Sequence, residues 1–184
     1  MAGYFTRERL LEAVAVICSI LYTVLITYEI IWCWSFAIIA SILFIYLVYR
    51  KKLLAETVLH IFYLLAAVYG WVTWGSADGG SIQSWGIKNN LLVLGCGFLL
   101  TGITGFTLKR YSPAALPYVD AFTTVFSILA TYMMAHRILE NWLYWIVIDS
   151  ISVFMYARRD LHLGALLYVI YTILAVNGYL QWLR

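Results

Sequence analysis

The sequence predicts an all-α integral membrane protein with seven transmembrane helices in a 3+1+3 arrangement. Three observations predict it: the scarcity of charge, the regular spacing of apolar runs, and the uneven placement of Lys and Arg. Of the 184 residues, 64% are hydrophobic and only 11% are charged, whereas about 25% of the residues in a water-soluble domain are charged. Because so few charges cannot cover a water-facing surface, we expect lipid to surround most of the chain.

Seven apolar runs are long enough to cross a bilayer, which takes ~20 residues for ~30 Å of hydrocarbon. The runs lie at 10–27, 30–49, 53–74, 90–108, 114–134, 142–156 and 161–183. The connections are short except for 75–89, whose Gly, Ser and Asp residues are typical of a loop. No water-soluble domain fits between the runs, so we expect one transmembrane domain over 1–184.

The basic residues predict the orientation. With seven spans, nine of the twelve Lys and Arg residues fall on the side of the amino terminus. These are Arg7, Arg9, Arg50, Lys51, Lys52, Lys109, Arg110, Arg158 and Arg159. Cytoplasmic loops carry an excess of Lys and Arg. The amino terminus is therefore predicted to be cytoplasmic and the carboxyl terminus external.

An internal repeat predicts how the helices are grouped. A shift of 108 positions places 69–74 on 177–182, and in the same ungapped register pairs Trp34 with Trp142 and Arg50 with Arg158. Two parallel triplets need one further helix to return the chain across the membrane. We therefore expect a triplet at about 9–74, a linking helix at about 89–108 and a second triplet at about 114–183, a parallel-repeat plan used by transporters.

Helix 6 carries the sharpest polar signal. Asn141, Trp145 and Asp149 follow each other at intervals of four residues and so share one helix face. Asp149 falls near the middle of the span, where an ionisable residue costs at least about 2.5 kcal/mol. Either this carboxyl group faces a water-filled lumen, or it is a structural group that bonds a neighbouring helix or stays protonated.

Three other helices carry weaker candidates for ligand contacts. Trp71 and Trp74 on helix 3 are one turn apart and serve either a binding site or an interfacial belt. Asn177 on helix 7 either bonds a neighbouring helix or reads a ligand. On helix 4, hydrogen bonds from Thr101 and Thr104 back to their own helix explain the hydroxyls, with a ligand role as the alternative.

The remaining Trp, Cys and His residues are interpreted structurally. All eight Trp residues lie near the predicted external side, and an interfacial belt is expected for Trp32, Trp34, Trp85 and Trp182. The cysteines are expected to be small buried hydrophobes; they are Cys18, Cys33 and Cys96. His60, His136 and His162 share no metal-ligand spacing. We therefore expect no metal, no cofactor and no enzymatic activity.

The candidate residues indicate the chemistry of a ligand. Indole faces attract cations, a buried carboxylate complements positive charge, and an Asn side chain can pair with an amide or with hydroxyls. A flat, cationic, heteroaromatic solute with polar groups fits this set. No Lys or Arg lies deep in a span, so a nucleotide phosphate would find no counter-charge, and nucleic acid is not an expected partner.

Two motifs resemble those of the nicotinamide riboside transporter family (PnuC type). The segment 140–145 resembles its N-x-x-x-W motif, with Asn141 and Trp145 at the defined positions, and 71–74 resembles its W-x-x-W motif. The likeness extends through 117–182, including Asp120 and Asn177.

The resemblance implies a 3+1+3 fold related to the SWEET sugar transporters, a homotrimer, and residence in the bacterial inner membrane. It also implies facilitated diffusion of nicotinamide riboside, with trapping by phosphorylation in the cytoplasm. Trp71, Trp74, Asn141, Trp145 and Asn177 match the positions of the expected substrate contacts.

Other functions stay open at this point. Members of the same family resemble thiamine or riboflavin carriers, and thiamine is also cationic and aromatic. Asp149 stands where Asn is expected in some riboside carriers, and its carboxyl group would also serve proton-coupled transport. A membrane sensor or scaffold that moves no solute is a further alternative.

Overall fold

The computed structural model describes residues 2–50, 54–75, 80–112, 115–158 and 161–184. These residues form an all-helical fold with seven α-helices. The helices are α1 (Ala2–Thr27), α2 (Cys33–Arg50), α3 (Leu54–Gly75), α4 (Ile87–Tyr111), α5 (Pro117–Ala135), α6 (Asn141–Arg158) and α7 (His162–Trp182). Each predicted run falls on one helix. Two runs were predicted to start at residues 53 and 114, and both positions lie outside the described residues. The basic residues Lys51, Lys52 and Arg159 lie outside them as well.

Six of the seven helices are long and apolar enough to cross a membrane, and α6 is the exception within the described chain. Its mean hydropathy is lowered by polar residues that include Asn141, Asp149 and Ser152. All three are buried in the protein. Insertion of a polar side chain into a membrane costs less when the side chain is shielded from lipid. The helix α6 can therefore carry these residues on the face that packs against the rest of the protein.

The chain divides into two compact units, Met1–Gly80 and Ser81–Arg184. In the first unit α1 packs on α2, and α2 packs on α3. In the second unit α4 packs on α5, α5 on α6, and α6 on α7. The core of the second unit is built on Phe126, Ala130 and Ile148.

The turn between α1 and α2 and the turn between α5 and α6 have the same geometry. Glu29 and Arg137 have positive φ angles of 54° and 56°, a conformation that non-glycine residues seldom adopt. Ile30 N–H bonds the Leu25 carbonyl at 3.1 Å, and Ile138 N–H bonds the Met133 carbonyl at 2.9 Å. This six-residue closure ends each helix in a Schellman motif. The two turns are 108 residues apart, which is the shift of the sequence repeat.

The same shift relates two tryptophan clusters. Trp34 contacts Trp74 edge to face with ring centroids 5.3 Å apart, and Trp142 contacts Trp182 in the same way at 5.3 Å. Each first indole lies on a glycine: a Cβ atom added to Gly70 would stand 2.5 Å from the Trp34 ring. A Cβ added to Gly178 would stand 2.6 Å from the Trp142 ring. Only a glycine admits an indole this close, so each cluster needs its glycine.

Two expectations about burial are wrong. Trp34 and Trp182 were expected in an interfacial belt, but both are buried and packed against other indoles. Cys96 was expected to be buried like Cys18 and Cys33, and it is exposed on α4. Both errors have one cause: lipid tails are as apolar as a protein interior, so an apolar sequence does not say which side of a helix faces the protein.

Candidate functional site

The first three turns of α6 hold a row of buried polar side chains. The Asn141 side chain is fully buried, Asp149 is 5% exposed and Ser152 is 3% exposed. The helix begins at Asn141 because the preceding turn ends in a backbone hydrogen bond of 3.2 Å from Asn141 N–H to the Ile138 carbonyl. The structure therefore places these three polar side chains together on the inner side of one helix.

Only one of the two polar atoms of the Asn141 side chain has a hydrogen-bond partner among the described residues. Its Nδ2 donates to the Ile138 carbonyl, while its Oδ1 is buried and has no hydrogen-bond partner among the described residues. A buried acceptor without a donor costs about 1–3 kcal/mol. A ligand that donates a hydrogen bond, such as a carboxamide or a hydroxyl, would remove this cost.

Asp149 is buried without a partner in the part of the chain that the structure describes: its carboxyl group has neither a hydrogen bond nor an ion pair there. Ser152, three residues on, donates to the Ile148 carbonyl at 2.9 Å and is satisfied within its own helix. The alternative in which Asp149 bonds a neighbouring helix thus finds no partner among these residues. An uncompensated buried carboxyl group is a natural counter-group for a cation.

Trp145 is partly buried and packs against the core of the second unit, which contains Phe126 and Ile148. In the first unit, Trp74 is buried against Trp34. Trp71 is partly buried, with its ring centroid 5.6 Å from that of Trp32 in an edge-to-face contact. Trp71 and Trp74 are thus ordered by edge-to-face contacts with other indoles, whereas Trp145 is held by packing against the core cluster.

The remaining candidates lie in the second unit on other helices. Asn177 on α7 is partly buried and precedes Gly178, the glycine that contacts Trp142. Thr104 on α4 is partly buried. The prediction that Thr101 and Thr104 bond back to their own helix is wrong. The Thr101 Oγ1 is buried and has no partner in the described chain, and Thr104 has no hydrogen bond there either.

Two features were not found from the sequence. The indole N–H groups of Trp34 and Trp142 are buried without partners among the described residues, at positions that the repeat had already paired. Glu140, directly before Asn141, binds the loop ahead of α4 with both carboxylate oxygens. The sequence shows that Glu140 adjoins the motif and gives no sign of what it contacts.

The fold and these residues define a class of protein. An all-helical, multi-pass membrane protein whose buried helix face carries an unsatisfied amide and an unpaired carboxyl group has the properties of a small-molecule transporter. Comparison with known proteins specifies the family. Residues 9–184 match the family model described as nicotinamide mononucleotide transporter. The chain belongs to this family.

Named relatives agree with this assignment. The nicotinamide riboside transporter PnuC of Escherichia coli strain K12 is 26% identical over 95% of this chain and 85% of its own length. The riboflavin/roseoflavin transporter RibM of Streptomyces davaonensis is 25% identical over 65% of this chain and 59% of its own length. The crystal structure of the Vitamin B3 transporter PnuC superposes with a TM-score of 0.77 at 26% identity, covering 99% of this chain and 84% of that one.

The comparisons confirm the resemblance drawn from the two motifs. They also confirm the predicted location, a multi-pass protein of the bacterial inner membrane. The family is one of transporters, which agrees with the expectation that the chain is not an enzyme. Among the described residues, no group of three His, Cys, Asp or Glu side chains is placed to hold a metal ion.

Proposed function

We propose that this protein carries nicotinamide riboside into the cell. The observation that carries the proposal is the buried row on α6, where Asn141 offers a free amide oxygen and Asp149 an unpaired carboxyl group. Nicotinamide riboside has a carboxamide that can donate to the first and a pyridinium charge that the second can attract. Because eight residues of helix span about 12 Å, the solute would meet the two groups in turn as it passes along α6. The names of the PnuC relatives support the same substrate.

A nucleoside suits the chain better than a nucleotide, although the family description names the mononucleotide. In the described residues, Lys and Arg side chains lie near the ends of helices or outside them. A phosphate that enters a low-dielectric site without a cation meets a large desolvation cost. The riboside carries no phosphate and avoids this cost.

The proposed substrate contacts are the residues of the sequence prediction. They are Trp71, Trp74, Asn141, Trp145, Asp149 and Asn177, with Thr101 and Thr104 as further polar contacts. An indole of this set would stack on the pyridinium ring, an interaction worth about 2 kcal/mol or more once water is removed. The buried Thr101 hydroxyl, which has no partner in the described chain, supports its place in this set.

The proposed architecture is a SWEET-like 3+1+3 arrangement in which α6 also spans the membrane, so that seven spans place the amino terminus in the cytoplasm and the carboxyl terminus outside. A single transport domain would then consist of triplets at about 9–74 and 114–183 and a linking helix at about 89–108. The duplicated Schellman turns and the duplicated tryptophan clusters support the triplets, since both recur at the repeat shift of 108.

The proposed mechanism is passive alternating access in a homotrimer, with phosphorylation of the nucleoside in the cytoplasm as the step that retains it. Uptake of labelled nicotinamide riboside into proteoliposomes, with thiamine and riboflavin as competitors, tests the substrate. We expect saturable uptake that unlabelled nicotinamide riboside abolishes. If riboflavin enters instead, the likeness to RibM identifies the substrate. Ligand-induced stabilisation without any flux would mean a sensor.

A pH gradient separates passive from proton-coupled transport. Passive uptake stops when the inner and outer concentrations are equal, whichever way the gradient points. Accumulation above that level, driven by an inward proton gradient and lost in Asp149→Asn, would replace the passive mechanism with proton coupling.

A further inference from the structure

The loop ahead of α4 is tied to the turn between α5 and α6 by backbone hydrogen bonds. Gln83 and Ile138 form an isolated parallel β-bridge. Gln83 N–H donates to the Arg137 carbonyl at 2.9 Å, and Leu139 N–H donates to the Gln83 carbonyl at 2.8 Å. The bridge fixes the register of the loop against Ile138.

The Glu140 carboxylate adds a second attachment in the same place. The Ser84 hydroxyl donates to Glu140 Oε1 at 2.7 Å, and Trp85 N–H donates to Glu140 Oε2 at 3.0 Å. The first bond has the length of a charge-assisted hydrogen bond, which is about twice as strong as a neutral one, and the second has the usual length of an N–H···O bond. Both oxygens of one side chain thus hold two consecutive residues of the loop.

The attachment continues into the two helices. Asn90, in the first turn of α4, donates from Nδ2 to the Trp85 carbonyl at 3.0 Å. The Tyr144 hydroxyl, in the first turn of α6, lies 3.4 Å from Asn90 Oδ1. The loop, the start of α4 and the start of α6 therefore form one hydrogen-bonded network, which we call the Glu140 clamp.

The clamp reaches the proposed substrate site through one shared atom. The Ile138 carbonyl accepts both from Asn141 N–H and from Asn141 Nδ2, and Ile138 is the residue that the bridge holds in register. Because the Asn141 amide group is bonded to this carbonyl through Nδ2, the contacts that hold Ile138 in place also set the direction of Asn141 Oδ1, the acceptor that has no partner in the described chain.

The repeat shows that the turn itself does not require this carboxylate. Glu140 corresponds to Trp32 in the first unit, and Asn141 corresponds to Cys33. The first turn closes with the same backbone hydrogen bonds and positive φ angle although it has no carboxylate at this position. The clamp therefore occurs in the one copy of the turn that carries a candidate ligand contact.

We propose that Glu140 is a positioning residue, which holds Asn141 in the orientation that binds substrate. The inference rests on the proposed function in that the bound substrate is nicotinamide riboside. It predicts that loosening the loop at 81–86 weakens substrate binding at Asn141, to which this loop makes no hydrogen bond among the described residues.

Four variants test the inference by hydrogen exchange and by equilibrium binding of nicotinamide riboside in detergent. Glu140→Ala removes both acceptors, and we expect amide exchange at 83–86 and at 138–142 to quicken by about tenfold. Binding should weaken by about five- to tenfold. Glu140→Gln should stay within about twofold of the wild type, because its Oε1 can accept from Trp85 N–H and its Nε2 can donate to the Ser84 hydroxyl.

A matched pair in the loop supplies the control. Ser84→Ala removes one bond of the clamp and should give a smaller change in the same direction as Glu140→Ala. Ser81→Ala alters an exposed serine of the same loop that has no hydrogen bond in the described chain, and it should leave exchange and binding unchanged.

The outcomes separate the two proposals. If the wild type does not bind nicotinamide riboside, the proposed function fails, and exchange at 138–142 still decides whether the clamp holds Asn141. If Glu140→Ala quickens exchange at 83–86 but leaves 138–142 protected, or leaves the affinity of a binding-competent protein unchanged, Glu140 anchors the loop only and the inference is wrong.

Discussion

Replacing Gly178 with alanine should destabilise the second unit. The new Cβ would stand 2.6 Å from the Trp142 ring, about 1 Å inside a normal carbon–carbon contact. Trp142 is 1% exposed, so its indole cannot relieve the clash by turning into solvent. Overpacking of this kind costs about 1–3 kcal/mol, and the edge-to-face contact with Trp182 is worth a further ~0.5–1.5 kcal/mol if it is lost.

One opposing term reduces this cost. Alanine favours a helix over glycine by about 0.5–1 kcal/mol, so Gly178→Ala should lower the free energy of unfolding by about 1–2 kcal/mol in all. Gly102→Ala in α4 is the matched control, because a Cβ at Gly102 meets no atom within 4 Å. That variant gains the helix preference of alanine without any clash, so its free energy of unfolding should rise by up to about 1 kcal/mol.

Reversible unfolding in mixed detergent micelles, followed by tryptophan fluorescence, measures both variants. Gly70→Ala should repeat the result in the first unit, since its Cβ would stand 2.5 Å from the Trp34 ring. If Gly178→Ala is as stable as Gly102→Ala, the indole does not lie on the glycine and the packing argument is refuted.

The remaining predictions concern the substrate site. Asp149→Asn keeps the shape of the side chain and removes its charge, so it should weaken binding of nicotinamide riboside by about 10–100-fold and spare the uncharged dihydro analogue, as measured by calorimetry. Ser150→Ala, at an exposed neighbouring position, is its control, and equal losses for both ligands would contradict a role in charge recognition. Asn141→Ala and Trp145→Ala should each reduce proteoliposome uptake at least about tenfold with an unchanged circular dichroism spectrum; normal uptake in both would remove the α6 site.

The helices could be predicted from the sequence because lipid imposes one simple demand, a long apolar run. The predicted run at 161–183 and the observed α7 at His162–Trp182 differ by one residue at each end. Other ends differ more: α4 extends three residues beyond the predicted run at each end, and α1 begins at Ala2 and not at 10. The residues before 10 include Arg7, Glu8 and Arg9, so a search for apolar runs does not find this part of the helix.

The burial of Asn141 and Asp149 could be foreseen for the same reason, since polar groups are costly in hydrocarbon. The contacts of individual side chains could not be foreseen. Glu140 binds residues 55 and 56 positions away, and only the folded chain brings them together. Whether Trp34 faces lipid or protein is equally invisible in an apolar sequence, because both surroundings favour the same residue types.

The two tryptophan clusters help to show which features the two repeats share and where they differ. The halves share what builds the bundle, namely the turn, the glycine and the paired indoles. They differ at two positions of the proposed α6 site: the positions of Asn141 and Asp149 are occupied by Cys33 and Ser41 in the first half, and both of these are buried as well. The first half is therefore a natural reference for these two residues, because it keeps the same turn and the same indole packing with neither an amide nor a carboxylate at their positions.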